Sequence, residues 1–441
     1  MFRWNSLAGN FVRDVCNSRV VQVVGVFIIF LSTRLFVLLN HTVPFVAVGL
    51  YGDAYAYYVP AGVAYVSGSL PDAVNPEHPP LAKYIIGFFA VYFHSANAAS
   101  LLFGLLTAVV VFLLVNRLCP TNLWAPIVVV WVLSFDPVNI GLSIYPMLDI
   151  FMIFFAVLSV YMLMLAKMSS QYVAAGVMVG LALACKWTGI FFAVPEILYL
   201  IGFRRFLSGL ELIGGAMAGY VLSYVPLLVR KGLTHFISLQ LWMSGFMMNA
   251  HGLGGYGSLL TNLVTFIIFH VTTFAPVTGY DPGFHPEAFR FLGRYYISLA
   301  DMINPLITLA VFPVLCCQIK RSLRYRENSR LLLLLVLAGT IVGEVIFPAS
   351  LATWYDAPVI VMTCILVADL LLFSRKHRTG LLVYLYLTLV ATWLLFATAI
   401  VFIRIAYYRS FSDIRIGLYD ASNALRAEMP RLKQLKAAEY A

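Results

Sequence analysis

The sequence is dominated by apolar runs that are each long enough to cross a membrane as one helix. A bilayer core is about 30 Å thick, so a helix needs about 20 apolar residues to cross it. Within that core, only helices or a closed barrel can satisfy the hydrogen bonds of the backbone. With 62% hydrophobic and 11% charged residues, the chain is predicted to be an all-α polytopic membrane protein.

Eleven of these runs are predicted to be membrane spans. They lie at about residues 20–39, 97–116, 123–143, 147–166, 171–187, 189–203, 209–229, 298–317, 331–347, 357–373 and 381–403. Residues 1–403 are therefore predicted to form one transmembrane domain, followed by a basic tail at 404–441. The stretch 259–276 is an alternative twelfth span, and counting it would reverse the orientation of every later loop.

Positively charged residues set the predicted orientation. The N-terminal segment is basic and polar and no cleavage site follows the first run, so this run is predicted to be a retained span with a cytoplasmic N-terminus. The cytoplasmic loops then hold more than half of the 29 Lys and Arg residues, as the positive-inside rule expects. The loops at about 40–96 and 230–297, and the tail, face the outside in this arrangement.

The first outer loop is too long for a simple connector, and it begins with an acidic residue before an aromatic stretch. Aromatic and apolar residues recur after Asp53 at a spacing of three to four, which predicts a short helix at the membrane surface. Asp53 has two interpretations. It is either an N-cap that accepts backbone N–H groups or a general base at the mouth of an outward cavity.

The segment NPEHPPLAKY, residues 75–84, gathers Glu77, His78 and Lys83 around two prolines. The prolines restrict the backbone and hold this turn at a defined height above the membrane. A second short interfacial helix is predicted at residues 81–94, because that segment is too short to span. His78 and Lys83 have three interpretations, which are helix capping, snorkelling and contact with lipid phosphate, and these residues alone favour snorkelling.

Several ionisable residues fall within or beside the predicted spans, where an isolated charge is costly. They are Arg34, Asp136, Asp149 and Lys186, with Glu196 and Glu344 deeper in later spans. Such groups usually face a cavity or one another. An ion pair between Arg34 and Asp149 is one interpretation, and a polar site at the outer face is the other.

The formal net charge of +10 does not indicate a nucleic-acid partner. The cations follow the cytoplasmic loops and do not form a patch with interleaved aromatic residues, so anionic lipid is the expected partner. The six cysteines lack metal-ligand spacing, and no convincing His or carboxylate cluster predicts a metal site.

Five segments carry a resemblance to a known family. They are FLSTRLFVLLN, GDAYAYYVPAG, NPEHPPLAKY, DPVNIGLSIYPMLDIFMIFF and GLALACKWTGIFFAVP. Together they resemble membrane glycosyltransferases that use lipid-phosphate sugars, specifically the protein O-mannosyltransferase group of the type C superfamily. NPEHPPLAKY is the most specific match. DMINP and SLATWYDAPVIV are similar to later landmarks of the family, more loosely.

The resemblance implies a type C fold of eleven spans with interfacial helices in the first outer loop. It implies transfer of a mannose-like hexose from dolichyl or polyprenyl phosphate to a protein Ser/Thr, glycan or lipid acceptor, by inverting displacement. The implied base is Asp53. The implied phosphate-binding residues are His78, Lys83, Lys186 and Arg34, and the supporting or acceptor residues are Glu77, Asp149, Tyr57, Tyr58 and Tyr355. No cofactor beyond the donor lipid is implied.

The sequence departs from the family pattern at three charged positions. Ala54 replaces the second acid of the usual Asp-Glu pair, and arginines are missing before Leu148-Asp149 and before Tyr355. A catalytically silent homologue that acts as an assembly partner is therefore an alternative, and a lipid or sugar transporter is another. The short loops resemble those of archaeal or bacterial members. We therefore expect a multi-pass protein of the cell membrane with its site on the outer face. A homo- or hetero-oligomer is compatible with the sequence.

Overall fold

The computed structural model describes residues 19–39, 53–120, 125–135, 137–250 and 328–346, with residues 358, 361, 362 and 365. All regular structure in these residues is helical, which confirms the all-α prediction for this part of the chain. The α-helices are α1 (Arg19–Leu39), α2 (Val59–Val66), α3 (Leu81–Tyr92), α4 (Ala96–Leu118), α5 (Ala125–Phe135), α6 (Pro137–Ile144), α7 (Leu148–Leu165), α8 (Ser169–Cys185), α9 (Ile190–Gly202), α10 (Phe206–Leu222), α11 (Val225–Ala250) and α12 (Asn328–Ile346).

Apolar helices match most of the predicted spans in this part of the chain. By length and composition, α4 and α7 can each cross a membrane, and the bent pair of α10 and α11 is a third candidate if it counts as one span. These helices are those of a multi-pass membrane protein. The predicted spans at 298–317 and 381–403, the alternative span at 259–276 and the basic tail lie outside the described residues.

Two predicted spans differ from the observed helices. The third predicted span, at 123–143, consists of α5 and α6, and the second of these begins at a proline, a residue that favours the first turn of a helix. The seventh, at 209–229, ends early at Leu222, after which the chain bends by 104° into α11. The cause is Pro226, which has no N–H for the carbonyl of Leu222 and would collide with it in a continuous helix.

Small residues allow α8 and α10 to pack backbone against backbone. A Cβ atom on Gly176 or Gly180 would overlap carbonyl oxygens of α10, and a Cβ atom on Gly215 or Gly219 would overlap carbonyl oxygens of α8. Both glycine pairs have the four-residue spacing typical of close helix contacts in membranes, where dispersion between backbones replaces the hydrophobic effect. This contact fixes the position of the C-terminal end of α8.

The two helices predicted in the first outer loop are confirmed as helices. The first comprises a π-helical turn, Ala54–Tyr58, that continues into α2, and the second is α3. They cross where Gly62 meets Gly87, since a Cβ atom on either glycine would overlap the backbone of the other helix. Exposed aromatic side chains at the end of α3 (Phe88, Tyr92 and Phe93) are typical of a membrane interface.

One end of the helix bundle carries the first outer loop. The Tyr55 hydroxyl donates to Asn97 at the start of α4, and Leu70 packs with Trp187, Tyr220 and Tyr224 at the ends of α8 and α10. We call this end of the bundle the Asp53 face. It contains the starts of α4 and α7 and the ends of α8 and α10.

The glycine contact between α8 and α10 is testable with two neighbouring residues. Gly215→Ala is expected to lower the unfolding temperature, because its Cβ would overlap the Val173 carbonyl and lie 2.9 Å from the Val177 nitrogen. Overpacking of this kind costs about 1–3 kcal/mol. Gly214→Ala is the matched control, because a Cβ there meets nothing within 4 Å. Equal unfolding temperatures for both variants in detergent would contradict the proposed contact.

Candidate functional site

Asp53 does not cap the helix that follows it. Its backbone is already helical, with φ −62° and ψ −43°, and its side chain makes no capping hydrogen bond. The N-cap interpretation of Asp53 is therefore wrong. The π-helical turn begins at the next residue, and π-helical turns occur frequently at functional sites because they turn side chains away from the regular helical spacing.

Tyr55 anchors the π-helical turn to the helix bundle. Its hydroxyl donates to Asn97 Oδ1, and its ring packs edge-to-face on Tyr145 with 6.5 Å between ring centroids. Tyr145 lies in the short connection before α7. The contacts of Tyr55 therefore bring Asp53 close to the start of α7, a role that the sequence analysis did not assign. The only sequence signal is the density of tyrosines after Asp53.

A buried ion pair lies beside this turn. Lys186 Nζ donates to Asp149 Oδ1 at 2.6 Å, and the two side chains are only 4% and 2% exposed. Asp149 is in the first turn of α7 and Lys186 directly follows α8, so each charge is at the helix end that the helix dipole favours. The predicted Arg34–Asp149 pair is wrong, because Asp149 pairs with Lys186 instead.

Both charges of this pair affect the pKa of Asp53. Burial raises the pKa of the Asp53 carboxyl, the Lys186 ammonium lowers it, and the Asp149 carboxylate raises it again. The net effect is a raised pKa. Asp53 is the less buried of the two acids that interact electrostatically with Lys186. A partly exposed carboxylate with a raised pKa has the properties of a general base.

Lys83 is completely buried and holds in place the turn around His78, Pro79 and Pro80, which we call the HPP turn. Its ammonium donates to the carbonyl oxygens of Asn75 and His78 and lies 5.7 Å from the centroid of the Tyr65 ring. Tyr65 in turn donates to the carbonyl of Val74 at 2.6 Å. Lys83 thus acts within the turn, which favours a positioning role over direct contact with a ligand.

The other residues predicted around the turn differ in exposure. The His78 ring packs edge-to-face on the buried Tyr58, at 5.9 Å between centroids, and Glu77 accepts a hydrogen bond from Asn75 Nδ2. Tyr57 is exposed. Tyr355, Asp136 and the Glu344 side chain are outside the described residues. Among the predicted site residues of this loop, Tyr57 is thus exposed, and Asp53, Glu77 and His78 are partly exposed.

Arg34 belongs to the interior of the bundle. Its guanidinium donates to the Ser134 carbonyl at 2.6 Å and to Thr33 Oγ1 at 2.8 Å, and it lies 4.0 Å from the centroid of the Phe30 ring. These contacts join α1 to α5. They favour a structural role for Arg34 rather than the predicted contact with phosphate. Glu196 is also internal, where it bonds to Ser159 at 2.8 Å.

A second polar cluster at the Asp53 face was not predicted. Asp72 Oδ2 contacts Lys231 Nζ at 2.5 Å and His235 Nε2 at 2.7 Å, while Arg230 donates to the Gly68 carbonyl. These contacts tie the loop after α2 to the start of α11. About 160 residues separate the partners, so no local pattern could reveal them.

The described residues contain no group of three or more His, Cys, Asp or Glu side chains that could hold a metal ion. This finding covers only that part of the chain. The two carboxylates and one ammonium of the Asp53 site are a charge arrangement suited to proton transfer and anion contact.

Comparison with known families supports the resemblance. The sequence model of the dolichyl-phosphate-mannose-protein mannosyltransferase family matches residues 77–229. This match confirms the predicted resemblance over that segment, which includes His78, Lys83, Asp149 and Lys186. Asp53 and Arg34 precede it. A comparison with curated proteins finds no match.

A search of solved structures finds the Archaeoglobus fulgidus oligosaccharyltransferase, crystallised in complex with Zn and sulfate. The sequence identity is 15% and the TM-score is 0.44. The match covers 80% of this chain and 48% of the other, so this chain spans about half the length of that protein.

The buried position of Lys83 predicts a pH-dependent stability. Burial lowers the pKa of Lys83 from 10.5 to about 7, so the folded protein favours the neutral amine. Between these values the unfolded chain binds a proton that the folded chain releases, and the free energy of unfolding therefore rises with pH. Lys83→Met is expected to remove this rise. It also leaves two carbonyl groups without their donor, at a cost of about 1–3 kcal/mol.

Thermal unfolding in detergent, from neutral to mildly alkaline pH, measures both effects. Lys231→Met removes an exposed lysine at the same face and should keep the pH trend of the wild type. If Lys83→Met also keeps that trend, Lys83 does not change its protonation on folding.

Proposed function

We propose that this protein is a membrane glycosyltransferase that moves a mannose-like hexose from dolichyl or polyprenyl phosphate to a hydroxyl group of a protein, glycan or lipid. The observation that carries the proposal is the position of Asp53: partly exposed, free of any capping role, and beside the buried Lys186–Asp149 pair. The family match over residues 77–229 supports the proposed class of donor.

Asp53 is the proposed general base. Its carboxylate takes the proton of the acceptor hydroxyl as that oxygen attacks the anomeric carbon of the sugar. The bond between the anomeric carbon and the phosphate oxygen breaks, and its electron pair leaves with the polyprenyl phosphate. Attack opposite to the leaving group inverts the configuration, as in other single displacements at an anomeric carbon. The proton ends on Asp53.

Lys186 is the proposed contact for the departing phosphate. Negative charge grows on the phosphate as the bond breaks, and an ammonium group fixed in place stabilises that charge without first having to reorganise. The Asp149 contact, which uses one of the three N–H donors of Lys186, fixes its direction. His78 is the second candidate for the phosphate. Lys83 is proposed to support it by holding the carbonyl groups of the turn.

The acceptor is proposed to approach from the side of the exposed Tyr57. Tyr58, Glu77 and Tyr355 remain candidate supporting residues. Because Ala54 takes the place of a second acid, Asp53 is the only acid of the pair that could contact the acceptor hydroxyl. The placement of the active site outside the cell is part of the proposal, as are the identity of the sugar and any homo- or hetero-oligomer.

A glycosyltransferase, a silent partner and a transporter would each treat the donor lipid differently. A silent partner would bind the donor lipid and leave the sugar on it. A transporter would move the lipid or sugar across the bilayer, and such proteins usually carry duplicated halves with broken helices that meet at mid-membrane. Arg34 and Glu196 are internal, but Asp53, the Lys186–Asp149 pair and the Asp72 cluster all lie at one face, which favours transfer.

Asp53→Asn is expected to lower the transfer rate by at least about a hundredfold, because an amide cannot accept the proton. Donor binding should change little, since it depends on Lys186 and the HPP turn. Purified protein in nanodiscs, polyprenyl-phosphate mannose and a hydroxyl acceptor make up the assay, with donor binding measured separately. Glu211→Gln, a loss of charge on α10 away from its Leu222 end, is the matched control and should keep most of the activity.

Equal rates for the wild type and Asp53→Asn would remove Asp53 as the base. If the wild-type protein binds the donor but transfers nothing to any hydroxyl acceptor, the silent-partner alternative is correct.

The pH dependence of the rate offers a test of the surrounding charges. As the pH falls, a base with a raised pKa is protonated sooner than an ordinary aspartate, so its activity is lost at a higher pH. Lys186→Met removes the charge that lowers the pKa of Asp53, so the acid limb of the kcat profile should move to higher pH. Asp149→Asn removes the charge that raises this pKa, so the limb should move to lower pH. An acid limb that stays in place in both variants would show that a different group titrates.

A further inference from the structure

Helix α11 does not continue the direction of the span before it. It is bent by 104° from α10, and it has a kink of its own at Gly232, where φ is +80°. Spanning helices tilt by only about 20° from the membrane normal on average, so a following span would run nearly antiparallel to α10. The close packing of α10 on α8 holds α10 along the bundle axis. Helix α11 therefore runs across the end of the bundle.

One face of α11 packs on the Asp53 site. Leu239 and Met243 are buried with Tyr224, and the partly buried residues around them include Trp187, the neighbour of Lys186. Gln240 Oε1 accepts a hydrogen bond from Tyr220 at 2.6 Å. This face has partners within the chain, and it covers the end of the bundle next to the candidate site.

The opposite face of α11 is apolar and exposed. Leu233 is 64% exposed, Ile237 48% and Leu241 68%, and Trp242 beside them is 47% exposed. These residues recur every fourth position and form one stripe. Exposed apolar residues also lie on α10, among them Leu207, Leu210, Met217 and Leu222. Exposed apolar residues of this kind need a covering.

The charges of α11 indicate what covers the stripe. The helix contains no Asp or Glu, and its cations lie at one end, where Arg230 is exposed. A helix with an apolar face, basic residues and an indole ring at its edge has the composition of helices that lie in the headgroup region of a membrane. The contacts of Arg230, Lys231 and His235 with residues 68 and 72 also join this helix to the first outer loop.

We propose that residues 233–246 of α11 lie in the plane of the membrane at the Asp53 face, with Leu233, Ile237, Leu241 and Trp242 inserted between phospholipid headgroups and acyl chains. The helix holds the Asp72 loop at a fixed height above the lipid, and with it the neighbouring HPP turn. The proposal concerns how the site is held at the membrane, and it does not depend on which reaction the site performs.

Spin-label depth measurements test the placement of α11. Single nitroxide labels are attached to Leu233→Cys, Ile237→Cys and Leu241→Cys of the full-length protein, in vesicles of phosphatidylcholine and phosphatidylglycerol. Collisions with oxygen, which concentrates in acyl chains, are compared with collisions with a water-soluble nickel chelate. Labels on Leu210→Cys and Met217→Cys of α10 are matched controls, because both residues are exposed on a helix that the sequence predicts to belong to a span and that its packing on α8 holds along the bundle axis.

The proposal predicts that all three α11 labels collide more with oxygen than with nickel and lie at one depth. The two α10 labels should differ in depth by about 10 Å, from a rise of about 1.5 Å per residue. Depths that change steadily along α11, by about 12 Å from Leu233 to Leu241, would make it a span and overturn the proposal. Greater access to nickel would mean an aqueous face, and low access to both probes would mean a protein partner or a second copy. Either result would overturn it. If one labelled variant fails to fold, the other two still show whether the depth stays constant along α11.

Discussion

The contact between Lys186 and Asp149 is the interaction on which the rest of the site depends. Taking either charge out of water costs several kcal/mol, and this cost is recovered only if the two groups meet in good geometry. The 2.6 Å contact fixes the end of α8 against the start of α7. The glycine packing of α8 on α10 then positions α10 beside the pair, and the hydrogen bond of Tyr55 to Asn97 positions the π-helical turn. Asp53 acquires its raised pKa from this environment.

A buried pair of this kind serves chemistry better than stability. An apolar pair of similar volume would often stabilise a protein as well or better. The ion pair instead keeps an ammonium group in one place and makes a nearby carboxylate sensitive to both charges. Lys83 is a different case, because its Nζ atom donates hydrogen bonds to two backbone carbonyls of the HPP turn. Two lysines that look alike in the sequence therefore have different environments: Lys186 pairs with a carboxylate and is the proposed phosphate contact, whereas Lys83 binds two carbonyl groups of the turn.

Much of the helical framework could be predicted from the sequence. Apolar runs predicted α4, α7 and α8 closely, and the spacing of aromatic residues predicted the helix after Asp53, because these signals are local. Pairings across helices could not be predicted in the same way. The partner of Asp149 depends on the rotation of α7 and α8 about their axes, the inward direction of Lys83 depends on the fold of the turn, and the Asp72 cluster joins distant segments. The bend before α11 had a local cause in Pro226, but the apolar run around it concealed the break.

The central claim is that the Asp53 face binds a polyprenyl-phosphate sugar with its phosphate at Lys186 and its anomeric carbon at Asp53. A cryo-electron microscopy structure of the full-length protein in nanodiscs, with polyprenyl-phosphate mannose bound, tests this most directly. The account predicts a phosphate oxygen within hydrogen-bond distance of Lys186 Nζ, and the Asp53 carboxylate on the side of the anomeric carbon opposite the phosphate. A donor lipid bound elsewhere on the chain, or bound with its sugar turned away from Asp53, would contradict it.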